Sequence, residues 1–151
     1  MRDKILYVDM DGVIVDFNSG ISKLSDQELN QFIGKYDEVP HIFSKMDPLP
    51  NAIDSVNKLI DHYNVYILSS SPWENRTALN DKLDWIKTHF GIKLRKKVIF
   101  SHNKHLNQGD FLIDDRTANG AGDFKGIHIH FGSEEFPDWD AVLKFLLKQI
   151  K

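Results

Sequence analysis

An apolar run of strand length, Ile5-Leu6-Tyr7-Val8, ends in Asp9-Met10-Asp11-Gly12 and then resumes as Val13-Ile14-Val15. A buried strand gains nothing by ending in carboxylates, and two acids at this spacing repel each other unless positive charge lies between them. The fold must therefore bring a cation, or cationic side chains, to the end of this strand. The pattern recurs along the chain. Val65-Tyr66-Ile67-Leu68 runs into Ser69-Ser70-Ser71, residues 97–100 precede Lys104, and Phe111-Leu112-Ile113 runs into Asp114-Asp115. A last run, residues 126–131, alternates polar and apolar side chains with the period of a strand.

Helix-like stretches separate these runs. Ala52, Val56, Leu59 and Ile60 make one apolar face after Asn51, residues 77–90 read as a helix stopped by Gly91, and Asp138 is placed to cap a closing helix after Pro137. Strands alternating with helices predict an α/β fold with a parallel sheet. In such a sheet the carboxyl ends of the strands share one edge, and ligands bind there at the switch point of strand order. Asp9, Asp11, Ser70, Ser71, Lys104, Asp114 and Asp115 are thus predicted to converge from separate segments. Residues 18–47 are more polar and irregular, with Ser25 and Glu28 in the spacing of a capping box, which predicts a short helix there.

Bulk properties narrow the function. At 151 residues the chain suits one compact domain with a small insertion. It has no cysteine, which excludes disulfides, thiolate nucleophiles and cysteine zinc sites and is compatible with a reducing cytosol. The apolar run near the N-terminus is too short for a secretory h-region, and none is long enough to span a membrane. A net charge of -3 argues against general nucleic-acid binding but not against a phosphate substrate, whose partner can be a metal.

Four carboxylates with water form an all-oxygen site suited to Mg²⁺. One carboxylate can attack phosphorus, and a second, two residues on, can move the proton. Serine hydroxyls and a lysine can hold and neutralise the phosphate oxygens. Taken singly, each motif has a plainer reading: Asp-x-Asp-Gly as a turn, the serines as a capping loop, Asp114-Asp115 as a solvated turn, Lys104 as surface. Their order, each after a strand, lifts the catalytic reading above these.

In that order the motifs resemble those of the haloacid dehalogenase superfamily of phosphatases. More closely, "DMDGVIVDF", "PLPNAIDSVNKL", "SSSPW", "DKLDWIKTHFG" and "GDFLIDDR" look like the 5'(3')-deoxyribonucleotidases. The resemblance implies a three-layer Rossmann-like core, residues 1–17 and 48–151, with a small, mostly helical cap at residues 18–47. It implies Asp9 as nucleophile and Asp11 as acid/base, with the Asp11 carbonyl also on Mg²⁺ and one or both of Asp114 and Asp115 completing that site. It implies phosphate binding by Ser70, Ser71 and Lys104, and substrate contacts from Phe17, Lys82 and Arg116. Trp73, beside the serines, joins them as a candidate. The expected substrate is a small phosphomonoester, foremost a nucleoside monophosphate. The expected location is the cytoplasm, without membrane or nucleic-acid partners and with room for a homodimer.

The insertion is shorter than the cap of those relatives. Phe32, Tyr36 and Phe43 are read as its packing core, with stacking on a base as the alternative. His102 and His105 are read as surface groups, His128 and His130 as the solvent side of a strand, and Trp85 as packing between helix and sheet. Two other functions are weighed: a phosphatase for another small phosphomonoester, and a phospho-receiver module that does not turn over. A receiver places its paired acids first and its phosphoacceptor on a later strand, whereas here Asp-x-Asp comes first and Asp-Asp last.

Overall fold

The computed structural model describes residues 3–150. Its centre is a five-stranded parallel sheet made of β1 (Ile5–Val8), β4 (Asn64–Ser69), β5 (Val98–Phe100), β6 (Phe111–Asp114) and β7 (Ile127–His130). The spatial order is β5-β4-β1-β6-β7. The remaining strands, β2 (Val15–Asp16) and β3 (Asp47–Pro48), pair antiparallel on their own. They join the two ends of the insertion that the sequence marked as irregular.

β1 lies at the middle, with Val8 in register with Ile67 of β4 on one side and Ile113 of β6 on the other. The chain moves outward from β1 to β4 and β5, then returns to the opposite side of β1 for β6 and β7. The order therefore reverses at the carboxyl end of β1, which makes that end the switch point.

Both faces of the sheet are covered, but unequally. Leu6, Val8, Val65, Ile67, Phe111 and Ile113 face one large apolar cluster. There they meet α3 (Ala52–Ile60), α4 (Ala78–Phe90) and α5 (Trp139–Lys148) through Val56, Leu59, Trp85, Ile86, Val142 and Leu146. Tyr7, Leu68 and Leu112 face the other way, against Ala121 and Phe124. Among the described residues that second face carries only short 3₁₀ turns, at Lys104–Leu106 and Ala121–Asp123. Right-handed crossovers explain the difference. Connections outward to β5 fall on one face and those toward β7 on the other, where the chain forms only 3₁₀ turns.

The insertion folds as α1 (Phe17–Ile21), α2 (Asp26–Gln31) and two 3₁₀ turns, Tyr36–Glu38 and Ile42–Ser44. The predicted capping box is present: Glu28 N–H donates to Ser25 Oγ, and Ser25 N–H donates to Glu28 Oε1. Phe43 is buried and Phe32 and Tyr36 pack against the same cluster, in keeping with a packing core. Trp85 lies in the large cluster with the sheet residues, as expected, and adds a contact that the sequence did not show. Its indole N–H donates to the Met46 carbonyl at 2.9 Å, so it anchors α4 to the insertion rather than to the sheet alone. That carbonyl satisfies the buried indole N–H. No helix of the described residues is long and apolar enough to cross a membrane.

Candidate active site

The ladder of β1 continues one residue past the strand, where Asp9 N–H donates to the Ile113 carbonyl at 2.9 Å. This fixes Asp9 at the switch point, and its side chain is buried. The chain then reverses over the Met10 carbonyl, which accepts from the amides of Val13, Ile14 and Val15. Gly12 makes this possible in two ways. Its φ is +76°, a left-handed value that side chains disfavour. A Cβ at that position would also lie 2.2 Å from Asp115 Oδ2.

β6 delivers Asp114, and the next residue is Asp115. Oxygens of Asp9, Asp114 and Asp115 all lie within 4.8 Å of one another. Lys104, also buried, reaches in from the short turn after β5. Its ammonium lies 3.1 Å from Asp9 Oδ1 and 2.5 Å from Asp114 Oδ2. Burial works against the Lys104 charge, but Asp9 and Asp114 outweigh it and raise its pKa above the usual lysine value. For Asp9, burial dominates and pushes the carboxyl up to about 8, with Lys104 opposing and Asp114 and Asp11 adding repulsion. Asp115 is pushed up as well, by burial first and by Asp114 second.

Asp11 has a different partner. Lys82, fully buried on α4, donates to Asp11 Oδ2 at 2.8 Å, Ser69 Oγ at 3.0 Å and the Ser70 carbonyl at 2.6 Å. The ring of Phe43 from the insertion lies 4.6 Å from the same ammonium. Lys82 thus sits behind Asp11 and does not line the open pocket. The sequence reading treated it as a substrate contact; its burial makes it a support for Asp11 and the serine loop.

A pocket of about 710 Å³ opens above these groups, lined by Asp11, Phe17, Ser70, Ser71, Trp73 and Arg116 among others. Every sequence-predicted substrate or phosphate residue except Lys82 and Lys104 therefore borders the same space. Asn119, which sequence reasoning missed, also lines it. Its side-chain amide donates to Ser70 Oγ at 3.2 Å, and its carbonyl accepts from Lys104 N–H at 2.7 Å. Asn119 lies in the left-handed region with φ of +53°. An Asn-Gly pair after Asp114-Asp115 was the only signal available, and it reads first as a turn.

The histidines are better placed than expected. His102 Nε2 lies 2.6 Å from the Ser71 carbonyl, and His128 and His130 reach the carbonyls of Asp114 and Asp115 at 3.2 and 2.9 Å. The rings of His128 and His130 stack on each other. They therefore brace the backbone that carries the two acids.

The family model for 5' nucleotidase, deoxy (pyrimidine), cytosolic type C protein matches residues 19–136, most of the chain. The chain belongs to that family. Membership bears out the resemblance read from the motifs and makes the chain an enzyme of the phosphoric monoester hydrolase class. A putative 5'(3')-deoxyribonucleotidase of Vibrio phage KVP40 is 50% identical over 147 residues, covering 97% of this chain and 86% of that one. The human cytosolic-type 5'(3')-deoxyribonucleotidase is 25% identical, over 94% of this chain and 80% of its own. Among solved structures, a haloacid dehalogenase-like hydrolase of Streptococcus pneumoniae superposes with a TM-score of 0.56 at 13% identity, covering 94% of this chain and 90% of that one. That likeness carries the fold: this chain has the haloacid dehalogenase-like core.

The donor set of its site fits a hard divalent cation. The clustered oxygens are all carboxylates, and Asp115 Oδ1 is buried without a hydrogen-bond partner among the described residues. Such an atom is costly unless something positive meets it. Mg²⁺ takes oxygen donors of this kind and keeps several waters.

Proposed function

We propose that the protein hydrolyses nucleoside monophosphates, deoxyribonucleotides foremost, through a phosphoryl intermediate on Asp9. The observation that carries this is the meeting of Asp9, Asp114 and Asp115 oxygens within 4.8 Å, with Lys104 bonded among them and Asp11 on the pocket floor. Bound Mg²⁺, held by Asp9, Asp114 or Asp115 and the Asp11 carbonyl, would offset the repulsion between the phosphate and the attacking carboxylate.

The residues divide the work. Asp9 Oδ attacks phosphorus and forms the Asp9–O–P bond as the ester P–O bond breaks. Asp11 gives its proton to the departing nucleoside oxygen. Asp11, now ionised, takes a proton from water, whose oxygen attacks phosphorus. Inorganic phosphate leaves and the Asp9 carboxylate is restored. Lys104 neutralises charge on the transferring group, while Ser70 and Ser71 hold its oxygens. Lys82 holds Asp11 in place, and Arg116 and Phe17 border the space for the substrate. Segment 18–47 serves as the cap, and the reaction is assigned to the cytoplasm.

The test is phosphate release from deoxy- and ribonucleoside monophosphates, sugar phosphates and a chromogenic ester, with Mg²⁺ or with EDTA. Mg²⁺-dependent release with deoxynucleotides preferred supports the proposal. Release confined to esters without a base, or no release at all, overturns it.

A further inference from the structure

Trp73 is the one large aromatic of the pocket that is almost wholly uncovered, at 86% of its surface. Trp85 and Trp139, by contrast, are buried in the core with their indole N–H groups on backbone carbonyls. An indole at the rim of a polar site offers a flat apolar face to whatever enters the pocket.

The loop that bears it is held by several hydrogen bonds. Asn75 N–H donates to the Pro72 carbonyl at 3.1 Å, closing a turn around Trp73. The buried Asn75 side chain then donates to the carbonyls of Asp37 and Val39 at 2.8 and 3.1 Å, which ties the turn to the insertion. Thr77 N–H and its hydroxyl donate back to Asn75 Oδ1. On the other side the His102 ring meets Trp73 edge-on, with centroids 6.0 Å apart, and is itself bonded to the Ser71 carbonyl. The indole is thus an exposed plane on a fixed mount, two residues from Ser71. The insertion adds Gly34, Tyr36 and Asp37 to the same pocket.

We infer that Trp73, steadied by His102 and Asn75, is the platform on which the nucleobase of the substrate stacks, so that the serine loop holds the phosphate and reads the base as well. This rests on the nucleotide reading above and adds where base recognition is built. Stacking on a fixed ring gains contact area at little ordering cost and tolerates more than one base. Phe43 also borders the pocket, but it is buried with its ring against Lys82, so it offers no open face for a base.

The experiment has two arms on Trp73→Ala and Trp73→Phe, neither of which disturbs the core. The first compares kcat/KM for a deoxynucleoside 5'-monophosphate with that for deoxyribose 5-phosphate. The ratio should fall about tenfold in Trp73→Ala and recover in part in Trp73→Phe. An unchanged ratio in Trp73→Ala overturns the inference. The second arm follows tryptophan emission of the wild type as nucleoside monophosphate or deoxyribose 5-phosphate is added. Quenching by the nucleotide alone, absent in Trp73→Phe, supports stacking; equal responses to both ligands, or quenching that survives in Trp73→Phe, overturns it. If no ester is hydrolysed, the proposed activity fails, and the emission arm still decides the stacking.

Discussion

Lys82 Nζ lies 2.8 Å from Asp11 Oδ2, although 71 residues separate the two in sequence. The lysine is buried and the aspartate borders the pocket, so the pair links the packed interior to the reacting edge of the sheet. One more contact, the Phe43 ring against the same ammonium, brings the insertion into the link.

Replacing this lysine by a chain of similar volume tests the link. In Lys82→Met, Asp11 loses its positive partner and Ser69 and Ser70 lose a shared donor. A fall in kcat on the order of 10²–10⁴, the range for a displaced acid–base group, is expected, with a smaller change in KM. Steady-state kinetics beside circular dichroism check it. A folded variant with wild-type kcat would show that Lys82 does not position Asp11.

Asn119 offers a second test. Its amide holds Ser70 Oγ while its left-handed backbone shapes the turn. Asn119→Gly keeps the backbone conformation and removes only the side-chain bond. KM should rise about three- to tenfold, the equivalent of one hydrogen bond, with thermal stability near wild type. Asn119→Ala should show the same KM and a lower Tm, because alanine resists positive φ.

Stability should depend on pH in a way that reports the acid cluster. Asp9 has its pKa pushed up to about 8 by burial, against ~3.9 in an unfolded chain. Between those values the folded state keeps a proton that the unfolded state has lost. The favourable contribution is full below about pH 4 and is lost as pH rises toward 8. Asp115, shifted upward by the same cause, adds in the same direction. Lys104, whose pKa is raised, stays charged across that window in both states and adds no slope. In EDTA the Tm should therefore fall between pH 5 and pH 8, and excess Mg²⁺ should flatten the fall by favouring the ionised acids. Asp9→Asn in EDTA should show a shallower fall. Equal slopes for wild type and Asp9→Asn would remove Asp9 as the source.

Much of this architecture is legible in the sequence because four of the five strands of the sheet are apolar runs that end at a polar residue, and the fifth alternates. Burial on both faces enforces such runs, and the switch point then gathers their ends. Ser25 and Glu28 were legible for a local reason, since a capping box is a spacing rule. Asn119 was not, because its role depends on Ser70 and Lys104 lying beside it in space. The β2–β3 pair escaped notice for a similar reason. Each strand is two residues long and is defined only by its distant partner. Lys82 was legible as a basic residue of the site, but its burial followed only from how α4 packs. The histidines likewise took their places from tertiary contacts with strand-end carbonyls.

The central claim is that Asp9 attacks phosphorus. Its most direct measurement mixes the Mg²⁺-loaded protein with a deoxynucleoside monophosphate labelled in its phosphate, quenches in acid within one turnover, and maps the label after proteolysis. The label should lie on Asp9, and it should be absent in Asp9→Asn together with turnover. Label on another residue, or turnover that persists in Asp9→Asn, would contradict the account.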